Sequence, residues 1–424
     1  MTQADVIVIG AGAAGLASAH TAASQGANVI LLEKMPKVGR KIMITGKGRC
    51  NLTNLKDWNA FSGYIASNAK FPKNAFMSFT PATLKDWFES EGMETILERG
   101  DRVFPASGSA ASVVDTLVKA CQKSGVEIIT GAEVSATSCC GDGFKIETTS
   151  GEEYSCLKLI IATGGLSYPA TGSTGDGYAF AKSMGHKITQ TFPSLTALVP
   201  RGYKMRTLKP ESKCHISRSE AMTAFGQALC GNDLENVQLS LFVDGVEADS
   251  QFGDLSFTDG GLEGAIGFKV SRKAVKSLIN GSKVSVSIDL KPSVTQEKLT
   301  GRIVSLFEDG SKPEKVLSAL IPRNLIKPFI MSTGLDHFTP ERLSRTLKSW
   351  TLPIEGYVGY ERAVVTAGGV CLDEVFSKTL ESRLVKNLYF AGEVLDIDAH
   401  TGGFNLQLAF CTGHLAGLSA AKSL

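Results

Sequence analysis

Gly10, Ala11, Gly12, Ala13, Ala14 and Gly15 follow a short apolar run, residues 6–9, and precede a stretch of helical composition, residues 16–24. In that place each small residue has a task. Gly10 permits a tight turn, Gly12 lets a phosphate reach the backbone, and Gly15 lets helix and strand pack closely. The unpaired N–H groups of the first helical turn, with Ala13 and Ala14, then present the positive end of the helix dipole to the phosphates. Glu33, with Lys34 after it, ends the next apolar run, residues 29–32, where a carboxylate can accept hydrogen bonds from ribose hydroxyls. Strand, glycine turn, helix, strand and acid in this order predict a dinucleotide site.

A second set of small residues lies near the other end. Gly392 and Glu393 close an apolar run, and Gly402 and Gly403 precede Phe404 and Asn405 at the head of a long apolar helix, residues 404–421. Such a helix can aim its N–H groups at the N1/O2 edge of a flavin, where negative charge gathers on reduction. A nicotinamide dinucleotide bound alone would need only the first half. Two halves favour FAD. Thr163, Gly164 and Gly165 form a third glycine turn after residues 159–162. Asp176, between two glycines before another helix, either caps that helix or contacts the cofactor.

Residues 36–54 read as a long basic loop carrying Gly39, Arg40, Lys41, Gly46, Lys47, Gly48, Arg49, Cys50 and Asn51. Its cations can neutralise a pyrophosphate, hold an anionic substrate or the phosphates of an NAD(P)H donor, or simply be solvated. Asn51, Thr53 and Asn54 add polar contacts. Cys50 has no second cysteine nearby, so a packing thiol is expected rather than disulfide chemistry. Cys139 and Cys140 read as neighbours in a turn. Nine cysteines without paired CxxC spacing give neither a disulfide framework nor a zinc site, and no metal is expected. For proton transfer, His400 follows Asp396 and Asp398, and an imidazole with a pKa of roughly 6.5 suits acid–base work. Tyr168 is a second candidate. The plainer alternatives are a surface histidine and an aromatic that only packs on the cofactor. His186, His215, His337 and His414 stand alone.

The strings from Gly39 to Lys41 and Thr45 to Asn54, the turns Thr163 to Gly165 and Gly172 to Gly177, and the segments Thr366 to Val370 and Leu388 to Gln407 together resemble the YhiN/BaiN-type flavoproteins, a family also described as aminoacetone-oxidase-like. More distantly, they resemble the fumarate reductase and ketosteroid dehydrogenase flavoproteins. The resemblance implies an α/β fold: a three-layer, Rossmann-like FAD domain on a parallel sheet, interrupted by a β-barrel with a small helical subdomain. It also implies an FAD-dependent oxidoreductase. Some members oxidise amines and others reduce an unsaturated oxo-steroid ring. Two departures stand out: Ala399-His400, and Asp259 where the family string has histidine.

The elements must bring both ends of the chain together. Helical stretches are expected over 83–91 and 111–123, and strands over 126–129, 144–149 and 159–162. Alternation at 239–243 and 284–288 suggests an antiparallel sheet or barrel over about 193–294. Short helices follow over about 295–349, with Pro313, Pro322 and Pro328 as breaks. The expected domains are residues 1–192 and 356–424 for the cofactor, with 193–355 inserted. The 424 residues carry 44 Lys plus Arg against 42 Asp plus Glu, a formal charge of +2 that argues against nucleic acid as the main partner. No apolar run approaches the roughly 18 residues of a membrane span. A strand pattern begins at once, without a signal peptide's features. The expectation is a cytoplasmic enzyme that moves hydride through flavin N5 to or from a small molecule. NAD(P)H-fed reduction of an activated C=C bond leads, and oxygen-dependent amine or aminoketone oxidation is the alternative. An RNA-modifying flavoenzyme or a non-catalytic flavin-binding regulator would belong to another class.

Overall fold

The computed structural model describes residues 2–205, 214–308, 313–334 and 339–424; His337 lies outside them. Two compact units emerge, one of Met1–Thr191 with Val365–Leu424 and one of Phe192–Val364.

The first unit rests on the strand Thr2–Ile9, which lies between two parallel neighbours, Val29–Glu33 and Glu153–Ile161. Val8 pairs with Leu31 on one side and Ile160 on the other. Strands covered on both faces read as unbroken apolar runs, as Val6 to Ile9 of this one do. Glu127–Thr130 adds a parallel strand outside Val29–Glu33. The strand Glu153–Ile161 changes partner along its length. Its early part pairs antiparallel with Gly143–Thr148, while Leu159 to Ile161 pair in parallel with Leu388–Phe390. A strand from the last tenth of the sequence thus lies in the same sheet as the first strand.

Two helices bind those ends further. Ala13–Ser24, the head helix, and Phe404–Lys422, the tail helix, pack backbone to side. A Cβ on Gly413 would lie 2.3 Å from the Ala14 carbonyl oxygen, and one on Gly417 would lie 2.3 Å from that of Ser18. Residues 14 and 18 meet 413 and 417 in step, so the helices run parallel.

Two readings of this unit need correction. Residues 36–54 are not a plain loop, because they hold the helix Arg40–Ile44 and a turn, Thr45–Gly48. Five residues are too few to show a helical period. Cys139 and Cys140 end the strand Val134–Cys140 rather than lying in a turn, and both are exposed.

The second unit contains a closed antiparallel barrel. Around it run Leu198–Pro200, Gly261–Glu263, Val246–Thr258, Asp233–Val243, Val284–Asp289 and Trp350–Val358, which pairs back with the first. Leu239 and Leu241 face Ile288 and Val286 in register, and all four are buried, as the alternation requires. A helix, Gly264–Ile279, lies inside the stretch read as sheet alone; its buried face includes Ile266, Val270, Ala274 and Leu278. Those four-residue steps were masked by the alternating strands around them. Short helices do follow, Gln296–Glu308, Pro313–Leu320, Arg323–Thr333 and Pro340–Lys348. Pro313 opens one and Pro322 precedes another, but Pro328 is buried inside Arg323–Thr333 and does not end it. Residues 356–364 group with this unit because the strand from Trp350 runs on through Val358. Among the described residues, no helix is long and apolar enough to cross a membrane.

Candidate functional site

The head turn is built by contacts that admit only glycine. Gly10 has φ +98°, and a Cβ there would meet the Ala162 carbonyl oxygen at 2.7 Å. A Cβ on Gly15 would be 1.7 Å from the Gly10 oxygen, whereas one on Gly12 would meet nothing within 4 Å. The open side of the turn is therefore at Gly12. Gly12 also starts the head helix without a side-chain cap, while Asp57, Thr80 and Ser109 cap other helices of this unit. Its first N–H groups keep their hydrogen-bonding capacity for a ligand. The Glu33 carboxylate is fixed beside the turn by the backbone N–H groups of Ala11 and Met35, both at 2.8 Å.

The tail helix likewise starts on a glycine, Gly403, at φ +92° and without a side-chain cap. A Cβ on Gly403 would lie 2.5 Å from the Thr53 carbonyl carbon. The Asn51 amide, oriented to satisfy both groups, donates to the Thr53 oxygen and accepts from the Gly403 N–H, each at 3.1 Å. Asn54 donates to the Gly402 oxygen at 3.2 Å, and the Thr53 hydroxyl donates to Gln407 at 2.6 Å. Phe404 stacks on Tyr64 with centroids 4.2 Å apart. Asn405 holds both the N–H and the carbonyl of Ala399, at 2.9 and 2.7 Å. The His400 N–H donates to the Tyr64 carbonyl at 2.9 Å, and its ring stands edge-on to the Tyr64 ring. Asp398 is fully buried and accepts from Ser67 at 3.1 Å.

A charged network joins the basic segment to the tail. Lys41 donates to Glu393 and to Ser167. Glu393 also accepts from the Ser167 hydroxyl at 2.6 Å and the Thr366 N–H at 2.7 Å. Burial alone would raise the Glu393 carboxyl, but the Lys41 ammonium and these hydrogen bonds outweigh it and hold the group below the usual carboxylate range. Gly392, at φ +76°, places this network against the head helix, since a Cβ there would touch that of Ala14 at 2.7 Å. Gly165 packs on Thr366 and Gly164 on Ser173, while the Thr163 hydroxyl lies against Gly177. Asp176 does not cap its helix. Gly175 holds the capping position, and Asp176 pairs with Lys34 at 2.5 Å, beside Thr174.

Other residues of the sequence reading fall elsewhere. Arg49 lies over the Phe104 ring, 4.5 Å from its centroid, and pairs with Glu98. Arg40 donates to the Ala170 oxygen at 3.1 Å. Gly39, Gly46 and Gly48 all have positive φ and shape the basic segment. Cys50 is buried at φ +59°, and burial pushes its thiol up to about 11, which leaves it protonated and inert. Tyr168, at φ +52°, precedes the turn Pro169–Thr171, while His400 belongs to the Tyr64 group. Sequence reasoning gave no site role to Ser167, Tyr64 or Thr366, although Thr366 opens one segment of the family resemblance. Ser167 and Thr366 stand beside glycine turns that were noticed, whereas Tyr64 follows a helix, Trp58–Ser62, too short to announce itself.

A glycine turn at one uncapped helix start, tied to a second uncapped start from the far end of the chain, has the form of a Rossmann-like nucleotide-binding fold. The family model described as the HI0933-like protein Rossmann domain matches residues 4–419, and the chain belongs to that family. It is a flavin-dependent oxidoreductase. It is 33% identical over 428 residues, 98% of each chain, to a 3-dehydro-bile acid delta(4,6)-reductase of Clostridium scindens. It is 31% identical over 434 residues, all of both chains, to a ribosomal RNA dihydrouridine synthase of Escherichia coli. FrdA of the E. coli quinol fumarate reductase shares the fold at 16% identity, with a TM-score of 0.52 over all of this chain and 71% of that one.

Proposed function

We propose that the protein is an FAD-dependent reductase of an electron-poor carbon–carbon double bond, supplied with electrons by NAD(P)H. One observation carries the cofactor half of the reading, and the full-length relatives carry the reaction class. Because Gly413 lies over Ala14 in a parallel pair, the tail helix begins eight residues before the level of the head helix, about 12 Å at ~1.5 Å per residue. Two positive helix ends at that spacing suit the two separated places on one extended dinucleotide where negative charge lies, its pyrophosphate and its ring edge.

In this reading the open side of Gly12 and the N–H groups of Ala13 and Ala14 hold the pyrophosphate, and Glu33 holds the ribose. Phe404 and Asn405 supply the tail N–H groups. Lys41, kept in place by Glu393 and Ser167, offsets phosphate charge. When bound, the isoalloxazine supplies hydride transfer at N5. His400 and Tyr168 are the proposed proton donors. Asn405 fixes the His400 backbone, and Tyr64 flanks its ring. The full-length relatives named as a delta(4,6)-reductase and a dihydrouridine synthase support double-bond reduction as the reaction class.

Those relatives also raise a second reading, in which the double bond belongs to a uridine of RNA. The reaction class is shared and the substrate differs. Purified protein should be yellow, with bands near about 370 and 450 nm, and should release FAD on denaturation. Mixed with NADH or NADPH without oxygen, it should bleach. Recolouring by a cyclic enone but not by unmodified ribosomal RNA supports the first reading, and the converse supports the second. Bleaching only by amines, with peroxide formed in air, would overturn both.

A further inference from the structure

We propose that the first unit carries a second ligand site, a groove between the helices Arg40–Ile44 and Ala110–Lys123, suited to a small amphipathic carboxylate. The groove has a volume of about 790 Å³. Its walls are largely apolar, with Val38, Ile44, Val118 and Ile128 among them. Gly39 brings the walls together: a Cβ there, at φ +64°, would lie 2.7 Å from a Val114 methyl. Met43 and Ile44, at 41% and 44% exposure, leave apolar surface uncovered at the rim. A concave groove with apolar walls suits a ligand that has an apolar body.

Charge decides what that ligand is. Lys37, Arg40 and Lys119 line the groove against a single carboxylate, Asp115, and none of the three cations makes an ion pair among the described residues. Arg40 adds a second, independent sign. Its Nε is buried without an acceptor, although Nη2 reaches the Ala170 oxygen. A buried guanidinium N–H without a partner is costly and fits an acceptor brought by a ligand. An apolar body with one carboxylate satisfies both features, since its hydrocarbon covers the walls and its oxygens meet the cations. A neutral hydrocarbon would leave the cations unanswered. A cation would be repelled.

The test uses the flavin-loaded protein and three probes with one tail: decanoate, decanol and decyltrimethylammonium. Each is titrated by calorimetry at constant ionic strength, with flavin absorbance read in parallel. Decanoate should bind at least about tenfold more tightly than either control. The charge reversal Lys37→Glu with Lys119→Glu, two exposed positions outside the cofactor machinery, should abolish that preference while flavin content stays unchanged. Val118→Asn, which takes away apolar wall without adding charge, should weaken decanoate and decanol alike. Three results would each overturn the proposal: equal affinity for the three probes, a preference that survives the charge reversal, or one flavin displaced per decanoate bound. The last would make the groove part of the cofactor site rather than a second one.

Discussion

Glu393 shows how one side chain can tie the proposed cofactor site together. Its carboxylate answers Lys41, Ser167 and the Thr366 N–H at once, so Glu393→Gln leaves a half-buried ammonium facing a neutral amide. Flavin affinity should fall roughly tenfold or more. Adding Lys41→Met should restore part of the thermal stability without restoring flavin binding, which equilibrium dialysis and a melting curve would separate. Buried histidines are expected to contribute to the acid sensitivity of the first unit. Burial lowers His20 and His414, which line one small cavity between the head and tail helices, where His20 also faces Glu91 and Lys123. A histidine with a depressed folded pKa takes up its proton first in the unfolded chain. Its contribution to stability is therefore present above the unfolded value of roughly 6.5 and is lost as pH falls below it. Replacing both by Gln should flatten the drop in urea midpoint between pH 7 and pH 5.5. An equally steep drop in the double variant would place the acid sensitivity elsewhere.

The helix pair is the element on which the proposed grip on flavin depends. Gly413→Val would push a branched side chain into the Ala14 carbonyl, part the head and tail helices, and cost about 2 kcal/mol with much of the bound flavin. Gly48→Ala, at φ +87° with nothing within 4 Å, should cost only backbone strain and keep the flavin. This packing was hard to read beforehand. The head turn was legible because its glycines follow an apolar strand and precede a helix. The same residue type at 413 and 417 lies inside a helix whose apolar residues fall on every side, so nothing in the pattern says which face meets Ala14 and Ser18. Short or mixed elements were lost for related reasons. Arg40–Ile44 is under two turns long, and Gly264–Ile279 was hidden by the alternation of the strands on either side. The Lys41–Glu393 pair could not be foreseen, because two ordinary charges so far apart in sequence carry no mark of each other.

Across the whole chain, the two units face opposite folding problems. In the first, Leu388–Phe390 completes the sheet beside Leu159 to Ile161, and the tail helix covers the head helix, so its core waits for the last residues of the chain. In the second, the barrel closes within one continuous segment, and its interior holds Leu239, Val286, Phe257 and a fully buried Trp350 flanked by Phe257 and Phe329. Residues 192–364 expressed alone should therefore fold. Urea should unfold them in one transition, with the buried Trp350 fluorescence and far-ultraviolet dichroism changing together. Residues 1–191 alone should not retain flavin. Supplying residues 365–424 as a separate chain should restore some binding if the core needs their packing rather than their covalent connection. A flavin-binding fragment 1–191 would show that the tail helix is a lid on a site already complete. A non-cooperative 192–364 would show that the barrel borrows its stability from the other unit.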